Sequence, residues 1–75
     1  MTAQKIPCHE SLLFGENVRT YRDILGWSMR NLSEQSGVAL SHLSAIENGH
    51  KDVTITTASK IARSFGVTLA SMMEV

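Results

Sequence analysis

Four glycines, at positions 26, 37, 49 and 66, divide this chain into short segments whose apolar residues recur at three- and four-residue spacing. That punctuation constrains the fold most. Apolar residues spaced in this way lie along one stripe of a helix, and a glycine just past the stripe ends it. Phe14, Val18, Tyr21 and Leu25 define a first helix over about 12–25, and Leu32 marks a second over about 29–36, with Ser28 as its N-cap. Gly37 closes the second helix. A third runs over about 39–47 with Ala39, Leu43 and Ile46 inward, and 48–53 is a loop. Thr54 or Thr56 caps a fourth helix over about 55–65, with Ile55, Ala58, Ile61, Ala62 and Phe65 inward. Thr68 caps a last one over about 69–73 holding Leu69, Met72 and Met73. No stretch alternates apolar and polar residues for long enough to make a strand. The expected fold is all-α: a flexible arm over 1–11 and one five-helix domain over 12–75. Periodicity alone leaves open whether the tight turn at Gly37 makes a helix-turn-helix or an inert bundle.

Composition narrows the functions. Seventy-five residues, 43% apolar and 19% charged, suit one globular domain. No apolar run reaches the roughly 18 residues needed to span a bilayer, and the first ten residues lack the apolar stretch of a signal peptide, so a cytoplasmic protein is expected. Cys8 has no cysteine to pair with. Beside His9 it has no further ligands at metal spacing, so no metal and no cofactor are expected. His9, His42 and His50 are not accompanied by a nucleophile or paired carboxylates in a catalytic pattern, which argues against an enzyme. Seven Lys and Arg balance seven Asp and Glu. Since phosphate neutralisation supplies much of the affinity for DNA, composition alone does not point to nucleic acid.

The ordered set Phe14-Gly15, Val18-Arg19, Tyr21-Arg22, Gly26-Trp27-Ser28, Leu32-Ser33, Gly37-Val38, Ser44, Ile46-Glu47-Asn48-Gly49, Ile61-Ala62, Phe65-Gly66-Val67 and Leu69 resembles the lambda-repressor-like, or XRE-type, helix-turn-helix family. The likeness covers residues 14–73 without a gap. It implies a transcriptional regulator that binds double-stranded DNA with helix 39–47 in the major groove, and the weak charge of one domain together with surplus apolar surface makes a homodimer the expected form. It also implies a buried pair between Arg22 and Glu47. Ser33 stands where the family prefers a smaller alanine at the crossing of the second and third helices. Met29 replaces a common glutamine, Ala39 a common Ser or Thr cap, and Val53 a common proline. The stretch His50-Lys51-Asp52-Val53-Thr54 is similar to the restriction-modification controllers of this family.

At about 100° per residue, Ser41, Ser44, Ala45 and Asn48 face away from Leu43 and Ile46, with Leu40 and His42 at their flanks. These are the expected base-facing residues. None is an arginine or glutamine able to grip a base edge with two bonds, so DNA shape should share in recognition. Ser28, Met29 and Arg30 at the start of the second helix, and Asn48, His50 and Lys51 after the third, are the expected phosphate contacts. Glu10, Glu16, Asp23 and Glu74 fall outside that face, and Asp52 opposes it. Leu69, Met72, Met73 and Val75 are the expected dimer seam, and apolar residues near Ile24 and Leu25 offer a further surface. A second reading keeps the fold but makes the chain an antitoxin, or another protein-binding module, holding a toxin or other protein partner.

Overall fold

The computed structural model describes residues 8–49 and 53–73. They form five helices, α1 (Cys8–Leu25), α2 (Met29–Ser36), α3 (Leu40–Glu47), α4 (Ile55–Phe65) and α5 (Leu69–Met72). Helix α1 packs on α3 and α5, α2 on α3 and α4, and α4 on α5. Where these faces meet, Phe14 and Val18 of α1 join Leu32, Leu43, Ile46, Ile61 and Met72, and all are fully buried. Each large side chain removed from water contributes roughly 1.5–3 kcal/mol.

The caps explain why the helices start and stop where they do. The Ser28 hydroxyl accepts the Asn31 N–H, and the Asn31 side chain accepts the Ser28 N–H in return. Thr54 and Thr68 cap α4 and α5 in the same direction, accepting from Thr57 and Ser71. At the far end of α2, Gly37 adopts φ +76°, a left-handed conformation costly to a residue with a Cβ. Its N–H bonds to the Ser33 carbonyl at 2.9 Å.

Several expectations change. α1 begins at Cys8, four residues before the expected start, so an arm over 1–11 is too long by at least four residues; residues 1–7 lie outside the described set. The apolar stripe did not reveal this turn because its inward residue is Ser11, which is 4% exposed and accepts the Val53 N–H. Ala39 is not an inward residue of α3 but its exposed N-cap, and it offers no side-chain bond. Leu25 and Ile55 are exposed at 47% and 39% rather than buried in the core. Phe65 does turn inward, but only partly, stacking between Tyr21 and Trp27 at centroid distances of 5.4 and 5.5 Å. α5 ends at Met72 rather than Met73.

Candidate nucleic-acid interface

The turn between α2 and α3 is fixed by two serines as well as by Gly37. The Ser33 hydroxyl donates to the Val38 carbonyl at 2.7 Å. The Ser36 hydroxyl donates to the Leu32 carbonyl and accepts the Val38 N–H. Val38 itself is buried at 6% exposure, which pins the turn to the core. Ser33 is therefore not an awkward substitute for alanine: its polar atom closes a carbonyl that the turn would otherwise leave open.

α3 is held from behind by α1. Gly15 is buried against the last turn of α3, and a Cβ there would collide with the Ile46 carbonyl oxygen. A bidentate pair adds direction. Arg22 donates from Nε to Glu47 Oε2 at 2.7 Å and from Nη2 to Oε1 at 3.0 Å, while Nη1 bonds to the Trp27 carbonyl at 2.9 Å. One guanidinium thus joins the end of α1, the α1–α2 turn and the end of α3. The Glu47 side chain is 5% exposed and that of Arg22 15%. Hydrogen bonding to Glu47 raises the Arg22 pKa above its ordinary value against an opposing desolvation effect, so the guanidinium stays charged.

With its inner side so anchored, α3 presents the opposite side outward. Taking Ser41 as zero, Ser44, Ala45 and Asn48 fall within a sector of about 100°, while Leu43 and Ile46 point away from it. Ser41 and Asn48 are exposed, Ser44 and Ala45 half-buried, and Leu40 at the flank is 42% exposed. His42, the other flank, is half-buried. Asn48 is not free to use its whole amide outward, because Nδ2 donates to the Ser44 carbonyl at 2.9 Å. Its carbonyl oxygen is the half left for an outside donor.

The first turn of α2 meets the same edge. A helix leaves four N–H groups there without intrahelical acceptors, and the reciprocal bonds of Ser28 and Asn31 satisfy two. The N–H groups of Met29 and Arg30 remain, with Arg30 exposed. Met29 departs from the expectation of a surface contact, because its side chain is half-buried and packs on the core. Its backbone is what it can offer an anion. His50 and Lys51 lie outside the described residues.

The expected dimer seam changes more. Met72 is fully buried, so it belongs to the core, and Leu69 and Met73 are half-buried against that core. Val75 lies outside the described residues. Among the described residues the most exposed large apolar side chain is instead Ile24, at 74%, beside Leu25. Among the described residues no group of three or more His, Cys, Asp or Glu side chains is arranged to hold a metal ion, and no helix is long and apolar enough to cross a membrane.

Five helices, a short turn locked between the second and third, and an outward α3 face braced from behind define a helix-turn-helix DNA-binding domain. The HTH_3 (helix-turn-helix) family matches residues 18–71, and the chain belongs to this family of lambda-repressor-like, XRE-type transcriptional regulators, whose role is to bind DNA rather than to catalyse a reaction. It is 28% identical over 61 residues to the control protein C.SmaI of Serratia marcescens, covering 81% of this chain and 73% of that protein. It is 30% identical over 63 residues to the propionyl-CoA carboxylase regulator of Cereibacter sphaeroides, but spans 14% of that longer protein and 84% of itself. Among solved structures, SinR, the master regulator for biofilm formation, in complex with DNA, superposes with a TM-score of 0.77 at 29% identity, over 81% of this chain and 98% of that one. The restriction-modification controller protein C.AhdI of Aeromonas hydrophila shares the fold, with a TM-score of 0.79 at 23% identity over 85% of this chain and 97% of that one.

Proposed function

We propose that the chain acts in the cytoplasm as a homodimer that occupies an operator, each α3 entering the major groove of double-stranded DNA. The observation that carries this reading is the outward sector of Ser41, Ser44, Ala45 and Asn48, flanked by Leu40, on a helix immobilised by Gly15 and the Arg22–Glu47 pair. Short hydroxyls and methyl groups let the backbone of α3 come close to base edges. Leu40 and Ala45 suit thymine methyls, and Ser41 and Ser44 can bond to several bases. Ser28, the Met29 and Arg30 N–H groups, the Arg30 side chain, His50 and Lys51 are the phosphate contacts that set register.

Two domains are needed because one has few cations to spend. Two-fold pairing places both α3 helices in successive grooves about 34 Å apart and doubles the phosphate contacts. With Met72 in the core, the proposed seam is Ile24 and Leu25 together with the half-exposed faces of Leu69 and Met73. The same apolar surface would serve the antitoxin reading, and co-purification of a second small protein from the source cell would favour it. The resemblance to control proteins supports a regulator of restriction-modification genes as the physiological role.

The test is fluorescence anisotropy on a random-sequence duplex across a salt series, with wild type, Arg30→Ala and Lys51→Ala. The reading expects binding that weakens steeply with salt, and a slope reduced by about one for each variant. A folded protein that binds no duplex at low salt would turn the assignment toward a partner-binding module.

A further inference from the structure

A groove of about 300 Å³ opens between α2 and α4, lined by Gln35, Ser36, Lys60, Arg63 and Ser64. On α2, Gln35 lies about 140° around the helix from Arg30, so the groove faces away from the edge assigned to phosphate contacts. On α4, Lys60, Arg63 and Ser64 fall within about 100° of one another, so both cations are carried on one face.

The charge of this groove is one-sided. No carboxylate stands among the described residues that line it, and both cations are exposed. Among the described residues Arg22–Glu47 is the one ion pair, so neither Lys60 nor Arg63 is neutralised by a neighbour. The Ser64 hydroxyl donates to the Ile61 carbonyl at 2.6 Å and the Ser36 hydroxyl to the Leu32 carbonyl at 2.7 Å, so both protons are spent inward and the donors left to the groove are the two cations and Gln35. In a chain of zero net charge, this leaves a concave site with two free cations and an uncommitted amide, Gln35.

We propose that this groove is a docking surface for an acidic peptide segment of a partner protein, held by carboxylates on Lys60 and Arg63 and oriented by Gln35. Charge complementarity sets the sign of the occupant, and the guanidinium of Arg63 matches a carboxylate with two parallel bonds. An exposed pair in water gains little by itself, whereas a partner surface covers the groove and excludes solvent as it binds. Because the groove lies off the α3 face, this docking is compatible with bound DNA and independent of it.

The probe is a fluorescein-labelled peptide of ten residues alternating Glu and Ala, titrated with the whole chain and followed by anisotropy, with amide shifts mapped by NMR. The controls are the Gln-for-Glu peptide, inorganic phosphate and a random duplex. The proposal expects saturable binding of the acidic peptide, shifts centred on Gln35, Ser36, Lys60, Arg63 and Ser64, and a Kd about fivefold weaker in the Lys60→Gln, Arg63→Gln double variant. Melting and duplex binding should be unchanged by that variant. The proposal is overturned if shifts scatter over Arg19, Arg30 and the other cations, if phosphate reproduces them, if duplex DNA displaces the peptide, or if the double variant binds as wild type does.

Discussion

Replacing Arg22 by alanine tests how α3 is held in place. The substitution removes three hydrogen bonds, two to Glu47 and one to the Trp27 carbonyl. It also leaves a carboxylate that is 5% exposed without its cation. Removing one partner of a buried pair costs about 3–5 kcal/mol; because Arg22 is itself 15% exposed, water can enter the space it vacates, and about 2–3 kcal/mol is the better expectation. In a domain of this size 1 kcal/mol moves the melting temperature by roughly 4–8 °C, so Tm should fall by about 10–20 °C. Thermal melts followed by circular dichroism at 222 nm measure it directly. The Arg22→Ala, Glu47→Ala double variant should recover part of the loss, since it no longer strands a charge. The pH dependence has a definite sign. Arg22 has a folded pKa raised above its unfolded value, so its contribution is fully present below the unfolded value and lost only as pH rises through the folded one. Deprotonation of Arg22 therefore contributes nothing to any loss of stability below pH ~10, far under the arginine range. A Tm within about 2 °C of wild type for Arg22→Ala would refute the reasoning.

Other substitutions separate the remaining parts of the account. Gly15→Ala places a Cβ against the Ile46 carbonyl oxygen, backbone that cannot rotate aside, and should cost about 1–3 kcal/mol in a urea melt; a neutral result would mean that the α1–α3 crossing yields easily. Ala39→Ser supplies the missing cap on α3 and should raise stability by about 1 kcal/mol, whereas a lowered Tm would show that position 39 does not behave as an N-cap. Met72→Ala removes a fully buried side chain and should destabilise the fold by about 2–5 kcal/mol, read by denaturant titration. Ile24→Glu, at a site 74% exposed, should shift the sedimentation mass toward monomer and remove any concentration dependence of Tm; an unchanged dimer would remove Ile24 from the seam.

The parts of the fold that were legible in the sequence are those that short-range chemistry determines. α2 and α4 occupy the expected residues because Ser28 and Thr54 cap them and Gly37 and Gly66 end them, all within four residues of the boundary. The start of α1 was hidden because its buried face continues through Ser11, a polar residue whose partner, Val53, lies 42 positions away. The same distance problem affected the candidate site. Helical spacing gives the outward sector of α3, but it cannot show that Asn48 turns its amide back onto Ser44, or that Met72 is covered on all sides. Ile55 and Leu25 fit an inward stripe by spacing, yet each sits at the margin of its helix, beyond the reach of the packed neighbours. Ser33 needed the three-dimensional turn: its role depends on where the Val38 carbonyl points.

The central claim is that the α3 sector and the start of α2 together form the DNA surface. Titration of the ¹⁵N-labelled chain with a short duplex, following every amide, tests it most directly. The account predicts the largest shifts at Ser28, Met29 and Arg30 and along Leu40, Ser41, Ser44, Ala45 and Asn48, with little change at Lys60 and Arg63. Shifts concentrated on the α2–α4 groove, with the α3 sector silent, would contradict it.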